Sequence, residues 1–195
     1  MEKHPQSLGG GDGRGRARGI AFAATFAALT AAIASFSIPL ILTPVPLTLQ
    51  VFFVLLAGTL GGTVYGTLSM IMYLAAGVAG LPVFSGFQAG VGHLLGPTGG
   101  YLFAFPIAAL ISGLVVGKPS SNMRKDFYRV VASMLCALVA IHTVGITWLS
   151  LYLSIPLSQA FLLGGVFIPV DLIKLAVAAP VAVRLRKSLA SMLTG

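Results

Sequence analysis

Asp171 and Lys174 stand three residues apart in "PVDLIKLAV", Pro169 to Val177, an otherwise apolar run. Pro169 suits the first turn of a helix, which puts Asp171 near an N-terminus, where the positive end of the helix dipole favours a carboxylate. The i, i+3 spacing places Lys174 on the same face about one turn deeper, so the two can pair with each other or share one ligand. An acid and a base in such a span point to function, because ionisable groups are expensive there. The structural alternative is a salt bridge that only locks this helix to a neighbour.

Other groups able to hold a small organic molecule lie in three stretches. "TPVPLTLQ" offers Thr43, Thr48 and Gln50 beside two prolines, and the same residues also read as a loop ending in a helix cap. "LPVFSGFQAG" supplies Phe84, Ser85, Phe87 and Gln88, aromatic walls and hydrogen-bonding groups on a glycine-broken segment. "GPTGGY" adds Thr98, Tyr101 and glycines that permit close backbone approach.

His93 and His142 have no Cys or carboxylate neighbours at ligand spacing, so no metal site is predicted. His93 is expected to face an outer pocket and His142 to be hydrogen-bonded inside a helical bundle. Ser85 and His142 could in principle form a nucleophile and base of an intramembrane serine protease. Against that reading, Ser85 falls in a connection, His142 falls mid-span, and no third orienting group is evident. No Gly-Lys-Ser/Thr follows the glycine-rich stretches, which argues against nucleotide binding and ATP hydrolysis by this chain.

The elements that must position these residues follow from composition. Hydrophobic residues make up 57% of the chain, charged ones only 8%, and the mean hydropathy is +0.99, whereas soluble domains carry roughly 25% charged residues. No Asp, Glu, Lys or Arg occurs from Gly19 to Gly117, and only Asp171 and Lys174 occur from Val130 to Val183. Such runs far exceed the roughly 20 residues of one crossing. An all-α, polytopic membrane bundle follows, with six transmembrane helices at 20–38, 48–60, 63–79, 100–116, 130–151 and 169–183. Residues 20–187 then form one substrate-binding domain, flanked by a disordered basic head at 1–19 and a short tail at 188–195. No small-residue cleavage site follows a short apolar core in the head, so a removed signal peptide is not expected. Cys136 is the single cysteine, so no intramolecular disulfide can form.

The net charge of +8 resides in short clusters beside apolar spans, a pattern of topology signals and anionic-lipid contacts rather than nucleic-acid binding. Arg14, Arg16 and Arg18 precede the first span, Lys118, Arg124, Lys125 and Arg129 lie between the fourth and fifth, and Arg184, Arg186 and Lys187 follow the sixth. All three should be cytoplasmic in a cell-membrane protein, which puts both termini inside. Span numbers between clusters must then be even, and four followed by two satisfies this. The uncharged hairpin "GTLGGTVYG" should also be cytoplasmic by parity alone. The Pro- and Gly-rich connections fall on the outer side, where irregular backbone is tolerated if it lines a cavity. In the first span, Ala23, Ala27 and Ala31, or Ala24, Ala28 and Ala32, repeat every four residues, a flat stripe on which another helix can pack.

"PVPLTLQ", "GLPVFSGFQAGVGHLLGPTGGYL" and "GVFIPVDLIK", in that order, together resemble the BioY family, the biotin-binding S component of energy-coupling-factor (ECF) transporters. The resemblance runs from about Ala23 to Arg184. It implies a six-helix membrane protein that captures biotin from outside and works with a transmembrane coupling subunit and two cytoplasmic ATPase subunits. It implies no enzyme activity and no cofactor in this chain, ATP being used by the partners. Some members are reported to act without that module. Related S components bind other vitamins on the same architecture. The alanine stripe, with Ala23, Ala24, Ala27 and Ala28, matches the family's docking surface. Biotin wants an acceptor for its ureido N–H groups, an aromatic slot for its bicycle and a cation for its carboxylate. Asp171, then Phe84, Phe87 and Tyr101, then Lys174 can supply these, with Gln50, Thr48 and Gln88 for the remaining polar atoms. The reverse order, with Lys174 on the ureido carbonyl, is also open.

Overall fold

Backbone inside a bilayer must satisfy its own hydrogen bonds, so the apolar runs can only be helices. The computed structural model describes residues 10–194. Its helices are α1 (Gly10–Ala34), α2 (Gln50–Val78), the single turn α3 (Val91–Leu94), α4 (Gly99–Val116), α5 (Met123–Leu153), the short α6 (Leu157–Gly164) and α7 (Ile168–Thr194). Between α1 and α2, β1 (Ser37–Ile38) pairs antiparallel with β2 (Leu47–Thr48), Ser37 opposite Thr48.

Element α2 is two helices. At Gly62 the backbone takes φ 65° and ψ −163°, a conformation open to glycine at little cost. The chain then reverses: a Cβ on Gly66 would stand 2.6 Å from the Ala57 carbonyl oxygen and 2.8 Å from the Gly58 Cα. In one straight helix residues eight apart are separated by about 12 Å. The arms, 50–61 and 63–78, match the expected second and third spans. With α1, α4, α5 and α7 they make six spanning helices among the described residues. The first arm reaches only about 18 Å at 1.5 Å per residue, short of a hydrocarbon core of about 30 Å.

Other boundaries shift outward. Helix α1 starts at Gly10, so Arg14, Arg16 and Arg18 lie on helix rather than in a disordered head, whose residues 1–9 fall outside the described residues. Helix α5 continues the fifth span back to Met123, capped by the Asn122 side chain, which accepts from the Lys125 N–H at 3.2 Å. The third outer connection, expected to be irregular, contains α6 and a 3₁₀ turn at Gly165–Phe167.

Small residues let the helices approach. Gly58 of α2 sits against Ala109 and Ser112 of α4, all buried, and Thr59 and Ser112 hydrogen-bond across the seam at 3.0 Å. The uncharged Gly62 hairpin shares a groove with Lys118 and Arg186, and Gly19 sits against Tyr65. All three basic clusters and this hairpin therefore lie at one end of the bundle, as parity requires.

At that end α7 is pinned. The Arg186 guanidinium donates to Asp126 Oδ1 at 2.6 Å and to the Val116 and Gly117 carbonyls at 3.3 and 2.6 Å, with Arg186 3% and Asp126 1% exposed. Asp126 Oδ1 also accepts from the Ser120 N–H at 3.0 Å. One guanidinium thus joins α5 and α7 while closing the free carbonyl end of α4. Arg186→Met strands the Asp126 carboxylate and should destabilise the fold by about 3–5 kcal/mol. The exposed Arg184→Met should change stability by no more than about 0.5 kcal/mol. Thermal unfolding of both purified variants distinguishes them, and equal shifts would refute the clamp.

Candidate ligand site

The opposite end carries the uncharged connections, and they fold over a cavity between α2, α4 and α7. Asp171 occupies the first turn of α7, as the Pro169 signal implies. Lys174, one turn on, donates from Nζ to Asp171 Oδ1 at 2.6 Å and to the Thr48 carbonyl of β2 at 2.6 Å. Both side chains are buried, Asp171 at 2% and Lys174 at 6% exposure. The pair therefore closes on itself and also ties the β2 loop to α7.

A second chain of polar groups borders it. The Thr48 hydroxyl donates to Gln50 Oε1 at 2.9 Å, and Gln50 Nε2 donates to the Tyr73 hydroxyl at 2.6 Å. Opposite, the Tyr101 ring packs edge-on against Phe167 and His142, with centroids 6.2 and 6.3 Å away. Only glycine at position 145 leaves room for that ring, since a Cβ there would stand 2.5 Å from it. The Tyr101 hydroxyl is buried and has no hydrogen-bond partner among the described residues. His142 Nε2 lies 3.1 Å from Asp171 Oδ2, although neither ring nitrogen has the direction of a hydrogen bond. The expected hydrogen bond of His142 is thus only a close approach to the carboxylate.

The cavity among these groups is narrow, about 50 Å³, and its lining includes Thr48, Gln50, Ser85, Tyr101, Asp171 and Lys174. These six candidates thus converge. Phe84, Phe87 and Gln88 do not reach the cavity. Phe84 is fully buried behind the wall, edge-on to Tyr73 at 5.7 Å and stacked on His93 at 5.2 Å. Phe87, in the left-handed region at φ 60° and 68% exposed, points away, and Gln88 is exposed while its backbone carbonyl accepts from the Phe84 N–H at 2.9 Å. The tight loop turns Phe84 and Ser85 inward and leaves Gly86, Phe87 and Gln88 exposed, a pattern that no helical or strand period foretells. Phe105 and Phe167 supply apolar wall instead. Phe105 sits one turn after Tyr101 on α4, a spacing the sequence does offer.

An open groove of about 420 Å³ adjoins the cavity and shares Pro46, Ser85 and Thr98 with it. His93 faces that groove, its Nε2 3.3 Å from the Thr98 hydroxyl. Burial pushes its imidazole below the ordinary histidine range. Trp148 of α5 donates to the Gly96 carbonyl at 2.9 Å and so holds the turn that leads into Thr98 and Tyr101. Ser85 and His142 share no hydrogen bond in the structure, so the protease pairing has no geometric support. The alanine stripe splits into two faces: Ala23 and Ala27 are buried, whereas Ala24, Ala28 and Ala32 are exposed.

Comparison with known proteins points one way. The sequence profile of the BioY family matches residues 5–191. A probable biotin transporter BioY of Pyrococcus horikoshii is 45% identical over 144 residues, 73% of this chain and 82% of that protein. The biotin transporter BioY of Thermotoga maritima is 44% identical over 155 residues, covering 79% and 87%. Among solved structures, the S-component for biotin from an ECF-type ABC transporter superposes with a TM-score of 0.79 at 32% identity, covering 88% of this chain and 92% of that one.

Proposed function

The chain belongs to the BioY family, and from that premise we propose that it serves biotin uptake as the membrane-embedded S component of an ECF-type transporter, taking the vitamin into the cavity at its uncharged end. It is a transport subunit, not an enzyme. The observation that carries the ligand reading is the closed, buried Asp171–Lys174 pair in the wall of that cavity.

The pair's geometry bears on which end of biotin it reads. Together the two side chains are neutral and present an acceptor and a donor side by side. The ureido ring, with N–H groups beside a carbonyl, complements that edge without adding charge. A carboxylate in the same place would leave one buried negative charge uncompensated, a cost of several kcal/mol. This favours Asp171 on a ureido N–H and Lys174 on the ureido carbonyl, with Tyr101, Phe105 and Phe167 around the bicycle and the valerate chain running outward. The reading of Lys174 as the partner of the carboxylate gives way on this charge count.

Calorimetry on the purified chain should show biotin binding, and absence of binding would sink the reading. Asp171→Asn and Lys174→Met should each cost about 2–5 kcal/mol, roughly thirtyfold to several thousandfold in affinity. The losses should be equal for biotin and its neutral methyl ester, provided that circular dichroism shows folded protein. If Lys174→Met spares the ester while weakening biotin, the carboxylate is the end that Lys174 reads.

An S component works with a transmembrane coupling subunit and cytoplasmic ATPases. The exposed Ala24, Ala28 and Ala32 stripe of α1 is a flat surface suited to that docking. Ala28→Trp should abolish co-purification with the coupling subunit and leave biotin binding intact. Ala27→Trp, which strikes the buried face, should lower the unfolding temperature instead. Joint loss of docking and ligand binding in Ala28→Trp would argue against the assignment.

The end bearing the basic clusters is assigned to the cytoplasm by the excess of Lys and Arg. In a Cys136→Ser background, Ser121→Cys should resist a membrane-impermeant thiol reagent in intact cells and react after permeabilisation. Rapid labelling of intact cells would invert the orientation.

A further inference from the structure

With the ureido ring inward, the valerate end of the ligand leads into the groove that adjoins the cavity. The two spaces meet at Pro46, Ser85 and Thr98, and the groove is bounded further out by Pro39, Thr43, Pro44, His93 and Pro97. Every one of these residues lies between Gly19 and Gly117, where the sequence has no Lys, Arg, Asp or Glu. The one titratable side chain among the groove's lining residues is the half-buried His93; burial pushes its imidazole below the ordinary histidine range, and its Nε2 lies 3.3 Å from the Thr98 hydroxyl. The Thr43 hydroxyl oxygen accepts from the Val45 N–H at 3.3 Å and has only a neutral O–H to offer.

A carboxylate arriving in this groove finds no countercharge among the described residues that line it. Because the groove is open, the carboxylate can keep its water, so its presence costs little and its neutralisation gains the ligand nothing. The groove is also larger than a carboxyl group needs, at about 420 Å³ against the 50 Å³ of the inner cavity. We infer that the site takes biotin in which the carboxyl group is joined by an amide bond to a longer chain, as in a biotin–lysine conjugate, and not free biotin alone. The inference rests on the ureido-inward reading above and extends it to a wider substrate class. Selectivity would then reside in the bicyclic ring, and the tail would be read only by the width of the groove.

The test is competition against labelled biotin on the full purified chain by three ligands: biotin, its primary amide, and biotin amide-linked to the side-chain amine of lysine. All three should bind within about tenfold of one another. A loss beyond about tenfold for either amide, with biotin itself binding normally, overturns the inference while leaving biotin recognition standing. Absence of biotin binding overturns the ligand reading and this inference with it. Pro44→Trp narrows the groove at an exposed rim position away from the ion pair. It should weaken the lysine conjugate at least tenfold more than biotin, and an equal effect on both ligands would exclude the groove as the path of the tail.

Discussion

A bilayer offers no water to a buried charge, so each ionised group inside must be answered by another group of the same chain. That constraint organises this protein. Of its four acidic residues, the two within the bundle, Asp126 and Asp171, are each neutralised by a buried base, Arg186 and Lys174. Both bases belong to α7. One pair fixes that helix to α5 and to the carbonyl end of α4 at the basic end of the molecule, while the other holds the β2 loop against it at the opposite end. Helix α7 is thereby set in position at both levels of the membrane, and the cavity opens along the stretch between Phe167 and Lys174.

The two pairs differ in what surrounds them. Arg186 spends its donors on two backbone carbonyls and a carboxylate that also caps a loop N–H, so its geometry is directed at the fold itself. Lys174 and Asp171 sit instead beside a cavity, with an unpartnered Tyr101 hydroxyl and a poorly directed His142 nearby. Buried polar atoms without partners are costly; the Tyr101 hydroxyl lines the cavity, whereas Asp126 Oδ2, likewise buried and without a hydrogen-bond partner among the described residues, does not.

Much of this arrangement is legible in the sequence, for physical reasons. Long uncharged runs can only be spans, and the positions of Arg and Lys impose a parity that places even the uncharged Gly62 hairpin correctly. Asp171 and Lys174 stand out because charge inside such a run is rare. Asp126 and Arg186 escape notice for the converse reason: both lie within basic clusters, where charges serve topology, and nothing local distinguishes the one arginine that turns inward. Helix α1 hides its faces because alanine occupies both registers of the stripe, and only packing against α2 separates buried Ala23 and Ala27 from exposed Ala24 and Ala28. Phe84, Phe87 and Gln88 lie in a loop with three glycines at positive φ around it, Gly80, Gly86 and Gly90, so no period predicts which side chain turns in.

The smallness of the cavity follows from the same ion pair. With Lys174 Nζ bonded to both Asp171 and the Thr48 carbonyl, the β2 loop is drawn down onto α7 and little space remains between them. A ligand atom that takes a proton of Lys174 competes with that carbonyl, since an ammonium has three donors in fixed tetrahedral directions and two are already committed. A ligand that used the third donor alone would leave the bond to Thr48 intact. The β2 loop, α7 and the cavity wall thus meet at a single nitrogen, and any group that displaces the Thr48 carbonyl from it gains only as much as its own contacts exceed that bond.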